Sequence, residues 1–220
     1  MRQFISGLIL GAGASQRLGP PKQLLPFRDT TMLGWVVKQA GNATALDELI
    51  VVLGRAADEL RERVDFGRAR VVENPVFTEG CSSSYRAGLE ALNPQSKAIM
   101  IILGDQPGIL PEVIDRLAEE WRRKEALIAL CSYDGRRGHP MIFAQPLFEQ
   151  LKALHGDKAA WKLVDANAPL VEEVNFNLPL PDDINTAADF ERLAATGKTE
   201  RALMETDISH AKAQRRKESV

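Results

Sequence analysis

A glycine-rich turn followed by two basic residues is the strongest chemical signal in this sequence. Gly11 and Gly13 lead directly out of an apolar segment, and glycine lets backbone N–H groups approach a phosphate without an intervening side chain. Arg17 and Lys22 follow, separated by a pair of prolines that keep the chain extended between them. Two cations beside a group of backbone donors favour the binding of a triphosphate.

Two other phosphate-binding patterns do not fit this segment. The dinucleotide pattern GxGxxG requires a glycine where Gln16 stands, and no acidic residue follows the second apolar run. The Walker pattern requires a GK[ST] triplet, whereas Lys22 follows a proline. A plain turn with two solvated basic residues is the alternative that the glycines alone leave open.

An aspartate after the most apolar run of the chain is a candidate metal ligand. Asp105 follows residues 98–103, and ligands of an open α/β sheet bind at the carboxyl ends of its strands. A carboxylate at that edge can coordinate Mg²⁺ held by nucleotide phosphates. The structural alternative is an aspartate that starts a turn before Pro107.

Three consecutive serines, Ser82, Ser83 and Ser84, follow Gly80 where a helix is predicted to begin. Their hydroxyls and backbone N–H groups could hydrogen-bond a base or a ribose. Helix capping is the alternative, but it explains only one of the three.

Short apolar runs alternate with helical segments along the chain, which is typical of parallel strands joined by crossover helices. Residues 98–103 are apolar throughout, which predicts a central strand covered on both faces. The stretches 13–26 and 134–140 are predicted to be functional loops. Strands are predicted over residues 4–10, 49–53, 70–72, 98–103, 127–131, 141–143 and 171–174, and helices over residues 33–40, 57–64, 83–92, 111–123, 146–153, 159–165 and 186–195.

The composition is that of an ordinary globular protein and excludes several classes. The 220 residues are 45% hydrophobic with a net charge of −2, so no overall positive field exists for nucleic acid or an anionic membrane. The apolar N-terminal run continues into the glycine motif, which argues against a signal peptide, and no segment has the roughly 20 apolar residues of a membrane span. Cys81 and Cys131 form no CxxC motif, so we expect a reducing cytoplasm and assign neither cysteine a nucleophilic role.

The segment from Leu10 to Leu25 resembles the signature LAAGxSxRMGxxKxLL of the MobA-like nucleotidyltransferases, in particular the molybdenum cofactor cytidylyltransferase branch. Gly11 replaces the first alanine and Leu18 the methionine. Residues 74–89 are similar to the family segment "NP…GMSSSLRAGL", with Cys81 in place of methionine. The motifs LGDQP at 103–107, GHP at 138–140, GDK at 156–158 and, more weakly, DINTAAD at 183–189 follow in the family's order.

The resemblance implies one three-layer α/β domain over residues 1–197, with a mostly parallel, mixed sheet similar to the nucleotide-diphospho-sugar transferase fold. It implies a Mg²⁺-dependent reaction in which the terminal phosphate of molybdopterin attacks the α-phosphate of CTP and pyrophosphate leaves. A molybdenum hydroxylase apoenzyme is a further partner that it allows. The polar segment 198–220 is predicted to be either a helix against the domain or a disordered terminus.

The resemblance also implies which side chains support the reaction. Arg17 and Lys22 would stabilise the charge on the pyrophosphate and form the catalytic set with Asp105. Asp105 and Asn185 would hold the metal, with Asp183 as the alternative to Asn185. A helix N-cap is a second role open to Asn185.

The remaining implied residues bind the two substrates. His139 and Asp157 would contact the acceptor, although a strand-entry histidine and a helix-capping aspartate are the structural alternatives. The resemblance places the nucleotide against the backbone of the glycine turn and the serine segment. The nucleotide-binding residues are Leu10, Gly11, Ala12, Gly13, Arg17, Lys22, Gly80, Ser82, Ser83 and Asp105.

The base and the acceptor are less narrowly defined. Ala12 stands where guanylyl-transferring relatives carry a second glycine, which favours cytidine over guanosine and does not exclude adenosine. A sugar phosphate, a polyol phosphate or another phosphorylated metabolite is an alternative acceptor. A protein that delivers the finished cofactor to a molybdenum enzyme without catalysis is the alternative from another class.

Overall fold

A computed structural model describes residues 2–13, 21–156, 159–186 and 188–192, and these form an α/β structure around one large sheet. The strands are β1 Ile5–Gly11, β2 Pro26–Phe27, β3 Thr30–Thr31, β4 Glu48–Leu53, β5 Arg70–Glu73, β6 Ala98–Leu103, β7 Ile128–Tyr133, β8 Arg136–Ala144 and β9 Val171–Phe176. The helices are α1 Met32–Asn42, α2 Ala57–Arg63, α3 Cys81–Glu90, α4 Pro111–Lys124, α5 Phe148–Lys152 and α6 Ala159–Ala166. The segment 198–220 lies outside the described residues.

The large sheet has seven strands in the order β5-β4-β1-β6-β8-β7-β9. Every neighbouring pair is parallel except the two pairs that involve β8. From β1 the chain continues to β4 and β5 on one side and then crosses to β6 on the other. The strand order therefore reverses between β1 and β6, and in open α/β sheets ligands bind at the carboxyl ends of strands beside such a reversal.

Helices cover both faces of the sheet, which gives three layers. The apolar cluster on one face includes residues of α1, α2 and α4, and that on the other face includes residues of α3, α5 and α6. Met100 of β6 belongs to the first cluster, whereas Ile99 and Ile101 belong to the second. The predicted central strand and the predicted three-layer α/β class are confirmed. Among the helices of the described ranges, none is long and apolar enough to cross a membrane.

Hairpin turns account for the main differences between the predicted and observed elements. All seven predicted strands are present, and residues 188–192 of the last predicted helix are helical. The loop predicted over 134–140 is wrong, because β8 begins at Arg136. Asp134 and Gly135 both have positive φ and form the two-residue turn between β7 and β8, for which Asp-Gly is a strong sequence signal. The short hairpin of β2 and β3 was not predicted.

A glycine on α3 lets this helix pack against strand β1. An added Cβ at Gly88 would lie 2.4 and 2.6 Å from the two methyl carbons of the buried Leu8. We expect Gly88→Ala to lower the free energy of unfolding by about 1–3 kcal/mol through overpacking. Gly41 on α1 is the matched control, since no atom lies within 4 Å of its added Cβ. Gly41→Ala should raise stability by roughly 0.5 kcal/mol, and denaturant unfolding of both variants would test these opposite signs.

Candidate active site

The carboxyl ends of β1 and β6 approach each other closely and form the floor of the candidate site. The backbone N–H of Gly104 donates a hydrogen bond to the carbonyl of Leu10 at 3.1 Å. A Cβ at position 104 would lie 2.7 Å from that oxygen and 3.3 Å from Cα of Gly11, so this position requires glycine. The glycine turn after β1 and Asp105 after β6 are thereby brought to the same edge of the sheet.

Gln23 connects the glycine turn to the segment that carries Lys22. It lies in the short 3-10 turn Lys22–Leu24, and its side-chain Nε2 donates to the carbonyls of Gly11 at 2.8 Å and Gly13 at 2.9 Å. Because C=O and N–H point in opposite directions across a trans peptide, the N–H of Ala12 faces away from Gln23. Gln23 is buried, and the sequence reasoning missed it; its place beside Lys22 in the signature was the available signal.

A lysine, an aspartate and an asparagine from three separate segments meet beside this turn. Nζ of Lys22 lies 2.6 Å from Oδ2 of Asp105 and 3.0 Å from Oδ1 of Asn185. Both oxygens therefore face one cation, which in this structure is the lysine ammonium. The structure brings together three residues that were predicted to belong to one site.

The segment after β9 is anchored to the end of β6, and this anchoring places Asn185. The N–H of Ile184 donates to the backbone carbonyl of Asp105 at 3.1 Å, and the Ile184 side chain is fully buried beside Phe27 and Met32. On the other side of Ile184, Asp183 accepts a hydrogen bond from Nε2 of Gln106 at 2.7 Å. Asp183 and Asn185 thus have different partners.

Burial raises the pKa of Asp183, and the negative charge of Asp105 raises it further. The hydrogen bond from Gln106 and the charge of Lys22 oppose this increase. Asp183 is therefore a carboxylate in an electrostatically unfavourable position, held by a neutral donor. Gln106 was not among the predicted site residues.

His139 lies on β8 and is buried. Its ring packs edge-on against Trp161 of α6 with 5.9 Å between centroids, and its backbone carbonyl accepts a hydrogen bond from Tyr133 Oη at 2.7 Å. Burial lowers the pKa of His139 to about 4, although the Asp105 carboxylate acts in the opposite direction. The imidazole is consequently neutral near pH 7, so it offers no positive charge to an acceptor phosphate.

This low pKa predicts a stability change in acid. The unfolded chain protonates His139 near pH 6.5 and the folded chain only near pH 4, so the contribution is complete above pH 6.5 and is lost as the pH falls towards 4. The loss by pH 4 should reach about 3 kcal/mol, because each pH unit between the two pKa values contributes roughly 1.4 kcal/mol. The free energy of unfolding in urea is measured for wild type and His139→Gln between pH 7 and 4. It should depend less on pH in the variant than in wild type. His155→Gln, which alters an exposed histidine, is the control substitution.

The serines at the start of α3 bond within the protein. Ser83 Oγ accepts from Nδ2 of Asn74 at 2.8 Å and donates to the carbonyl of Gly80 at 2.7 Å, while Ser84 Oγ accepts from the same amide at 3.2 Å. Ser82 Oγ accepts from the N–H of Gly156 at 3.1 Å. These bonds position the glycine before the helix and the loop that reaches residue 156. Asn74, which is buried, is a further residue that sequence reasoning missed, although it stands in the NP motif.

Two predicted site residues, Arg17 and Asp157, lie outside the described residues. Cys131 is buried, and burial raises the pKa of its thiol to about 12, as expected of a cysteine without a nucleophilic role. Within the described part of the chain no three His, Cys, Asp or Glu side chains gather as a metal cluster.

Comparison with known proteins identifies a protein family that this chain matches. The profile of the MobA-like NTP transferase domain matches residues 7–171. Nicotine blue oxidoreductase of Paenarthrobacter nicotinovorans is 35% identical, over 86% of this chain and 96% of that protein. Molybdenum cofactor cytidylyltransferase of Escherichia coli K12 is 26% identical, over 84% of this chain and 96% of that protein.

A solved structure has the same fold at higher identity. Rv0371c from Mycobacterium tuberculosis H37Rv superimposes with a TM-score of 0.81 and 38% identity, covering 89% of this chain and all of that one. The same mycobacterial protein has also been solved as a complex with manganese, with a TM-score of 0.75 and 36% identity over the same shares.

Proposed function

The chain belongs to the MobA-like NTP transferase family, and on that premise we propose that it transfers CMP from CTP to the terminal phosphate of molybdopterin. An oxygen of that phosphate attacks the α-phosphorus of CTP, the bond from this phosphorus to the bridging oxygen breaks, and pyrophosphate leaves. The observation that carries the proposal is the meeting of Lys22, Asp105 and Asn185 beside the glycine turn. The E. coli relative of 26% identity supports the choice of base and acceptor.

The side chains present fit a divalent metal at Asp105 and Asn185. A carboxylate oxygen and an amide oxygen are both hard ligands, and the two already converge on a single cationic atom, Nζ of Lys22. Mg²⁺ held there with the nucleotide would withdraw electron density from the α-phosphate. The manganese complex of the mycobacterial relative supports a divalent ion in this fold.

The chain's own residues align the reactants and neutralise charge. Lys22, with Arg17 by resemblance, would bind the phosphates that leave as pyrophosphate. The nucleophile is a phosphate that is already ionised at neutral pH, so the reaction needs no general base, and the residues act by alignment and by charge neutralisation. Neutral His139 and, by resemblance, Asp157 would line the acceptor side. The backbone from Leu10 to Gly13, with Gly80, Ser82 and Ser83, would enclose the nucleoside.

Nucleotide binding provides the first test. The purified protein is titrated with CTP, GTP, ATP and UTP, each with and without Mg²⁺, while its thermal unfolding is recorded. A ligand at 100 times its Kd adds about 2.7 kcal/mol of stability. Among the four nucleotides, we expect only CTP to raise the unfolding temperature, and only in the presence of Mg²⁺. We then expect pyrophosphate release when molybdopterin is added. Pyrophosphate release with a sugar phosphate would show that the acceptor is a sugar phosphate and not molybdopterin. CTP binding without pyrophosphate release under any condition would favour a delivery protein.

An oxidoreductase is the second candidate, and the 35% identity to nicotine blue oxidoreductase favours it. This candidate predicts that the protein catalyses electron transfer between nicotine blue and an added redox partner, with no release of pyrophosphate. The two activities are measured on one preparation, with Asp105→Ala as the second sample. Pyrophosphate release that is strongly reduced in Asp105→Ala supports the transferase, whereas a redox change of nicotine blue that is the same in Asp105→Ala supports the oxidoreductase.

A further inference from the structure

The ammonium group of Lys22 occupies the point on which the two proposed metal ligands converge. Its Nζ is 2.6 Å from Asp105 Oδ2 and 3.0 Å from Asn185 Oδ1. The Lys22 and Asp105 side chains are 12% and 24% exposed, so this ion pair is partly shielded from water. The lysine backbone is held next to the glycine turn by the neighbouring Gln23.

A metal ion and this ammonium cannot share the same two oxygens. Mg²⁺ binds its oxygen ligands at about 2.0–2.1 Å, so an ion bound to both would fill the space that Nζ now occupies. The metal therefore has to displace Lys22. The displaced ammonium would then lie beside a divalent cation, and this arrangement is unfavourable unless an anion joins them.

A nucleoside triphosphate supplies that anion. Its phosphates can accept the ammonium of Lys22 and coordinate the metal at the same time, which leaves Asp105 and Asn185 to complete the metal's ligands. We propose that Lys22 excludes free divalent cations from this site, and that the ligand the site accepts is the metal–nucleoside triphosphate complex. This inference rests on the proposed function, because it takes Asp105 and Asn185 as the metal ligands.

The proposal makes metal and nucleotide binding interdependent. A nucleotide that draws Lys22 away from Asp105 must increase the affinity for the metal, and the metal must increase the affinity for the nucleotide by the same factor. Without nucleotide, Lys22 is the cation of the site. Removing its charge should open the site to metal alone.

The test measures the binding of Mn²⁺ in the absence of nucleotide, from the electron paramagnetic resonance signal of the free ion. The samples are wild type, Lys22→Met and the double variant Lys22→Met/Asp105→Ala. Lys38→Met is the matched control, because Lys38 is also paired with an aspartate, Asp29 at 3.0 Å, but on the exposed face of α1. We expect Lys22→Met to bind Mn²⁺ at least tenfold more tightly than wild type and Lys38→Met, and the double variant to lose this gain.

Equal Mn²⁺ affinity of Lys22→Met and wild type would overturn the inference. Thermal unfolding of each variant establishes that it is folded, and Lys22→Arg adds a variant that keeps the positive charge. If charge is the cause, Lys22→Arg should bind free Mn²⁺ as weakly as wild type; binding as tight as that of Lys22→Met would contradict it.

Failure of the inference can be told apart from failure of the proposed function. If wild type binds CTP with Mn²⁺ and Asp105→Ala does not, the proposed site stands even if Lys22→Met gains no affinity for Mn²⁺. Conversely, a gain in Lys22→Met that depends on Asp105 supports the exclusion by lysine even if CTP does not bind.

Discussion

Replacing Asp105 by alanine is expected to lower turnover at saturating Mg²⁺ and CTP by about 10²-fold or more, which corresponds to roughly 2.7 kcal/mol of transition-state stabilisation. The side chain provides the charged oxygen on which the proposed metal site depends. The anchoring of the neighbouring segment uses the backbone carbonyl of Asp105, which alanine retains. The substitution should therefore reduce activity while the site keeps its backbone.

Steady-state pyrophosphate release measures this effect. Asp29→Ala is the control, since Asp29 is an exposed aspartate that pairs with Lys38, and this variant should keep wild-type turnover. Asp105→Asn preserves the shape and removes the charge, so a similar decrease would assign the effect to charge. Near-normal turnover of Asp105→Ala would remove this residue from the mechanism.

Replacing Lys22 by methionine is expected to slow the single-turnover rate at saturating CTP by about 10²-fold, and to weaken CTP binding by a smaller factor. The reason is that negative charge grows on the departing pyrophosphate, so a cation beside it stabilises the transition state more than the bound substrate. The same variant is expected to bind free Mn²⁺ more tightly. Slower chemistry together with tighter metal binding would distinguish loss of this cation from general damage to the site.

Rapid-quench measurements of the rate and an independent titration of CTP separate the two effects. Lys38→Met, which removes an exposed lysine of α1, should change neither quantity. A weaker affinity with an unchanged rate at saturation would make Lys22 a binding residue and would contradict its catalytic role.

Most of the fold could be predicted because its signals are local. The apolar run 98–103 and the periodic helices are visible within a few residues of chain, and the structure has a strand or helix at each. The loop predicted over 134–140 is wrong because Asp134 and Gly135 alone make the turn, and residues 136–140 already belong to β8. The brief hairpin of β2 and β3 has too few residues for any alternation to show.

Supporting residues of the site were harder to predict than the reactive ones. Lys22, Asp105 and Asn185 stand in motifs whose residue types suggest phosphate and metal chemistry. Gln23 and Gln106 are neutral amides without such a signal, and their roles come from the groups they face, the carbonyls of the glycine turn and the carboxylate of Asp183. A buried amide can donate to many partners, so its sequence position does not indicate which one it has.

The sequence by itself determined the family and the α/β class, since these depend on residue type and short spacing. The same signals predict which residues bind a triphosphate and a metal. Only the tertiary structure decided that Lys22 lies against Asp105, 83 positions away, and Asn185, 163 positions away. The parallel register that pairs Leu10 with Leu103, and the anchoring of Ile184 to Asp105, create that contact. The neutral state of His139 likewise follows from burial, because desolvation depends on the whole surrounding structure and not on neighbours in the chain.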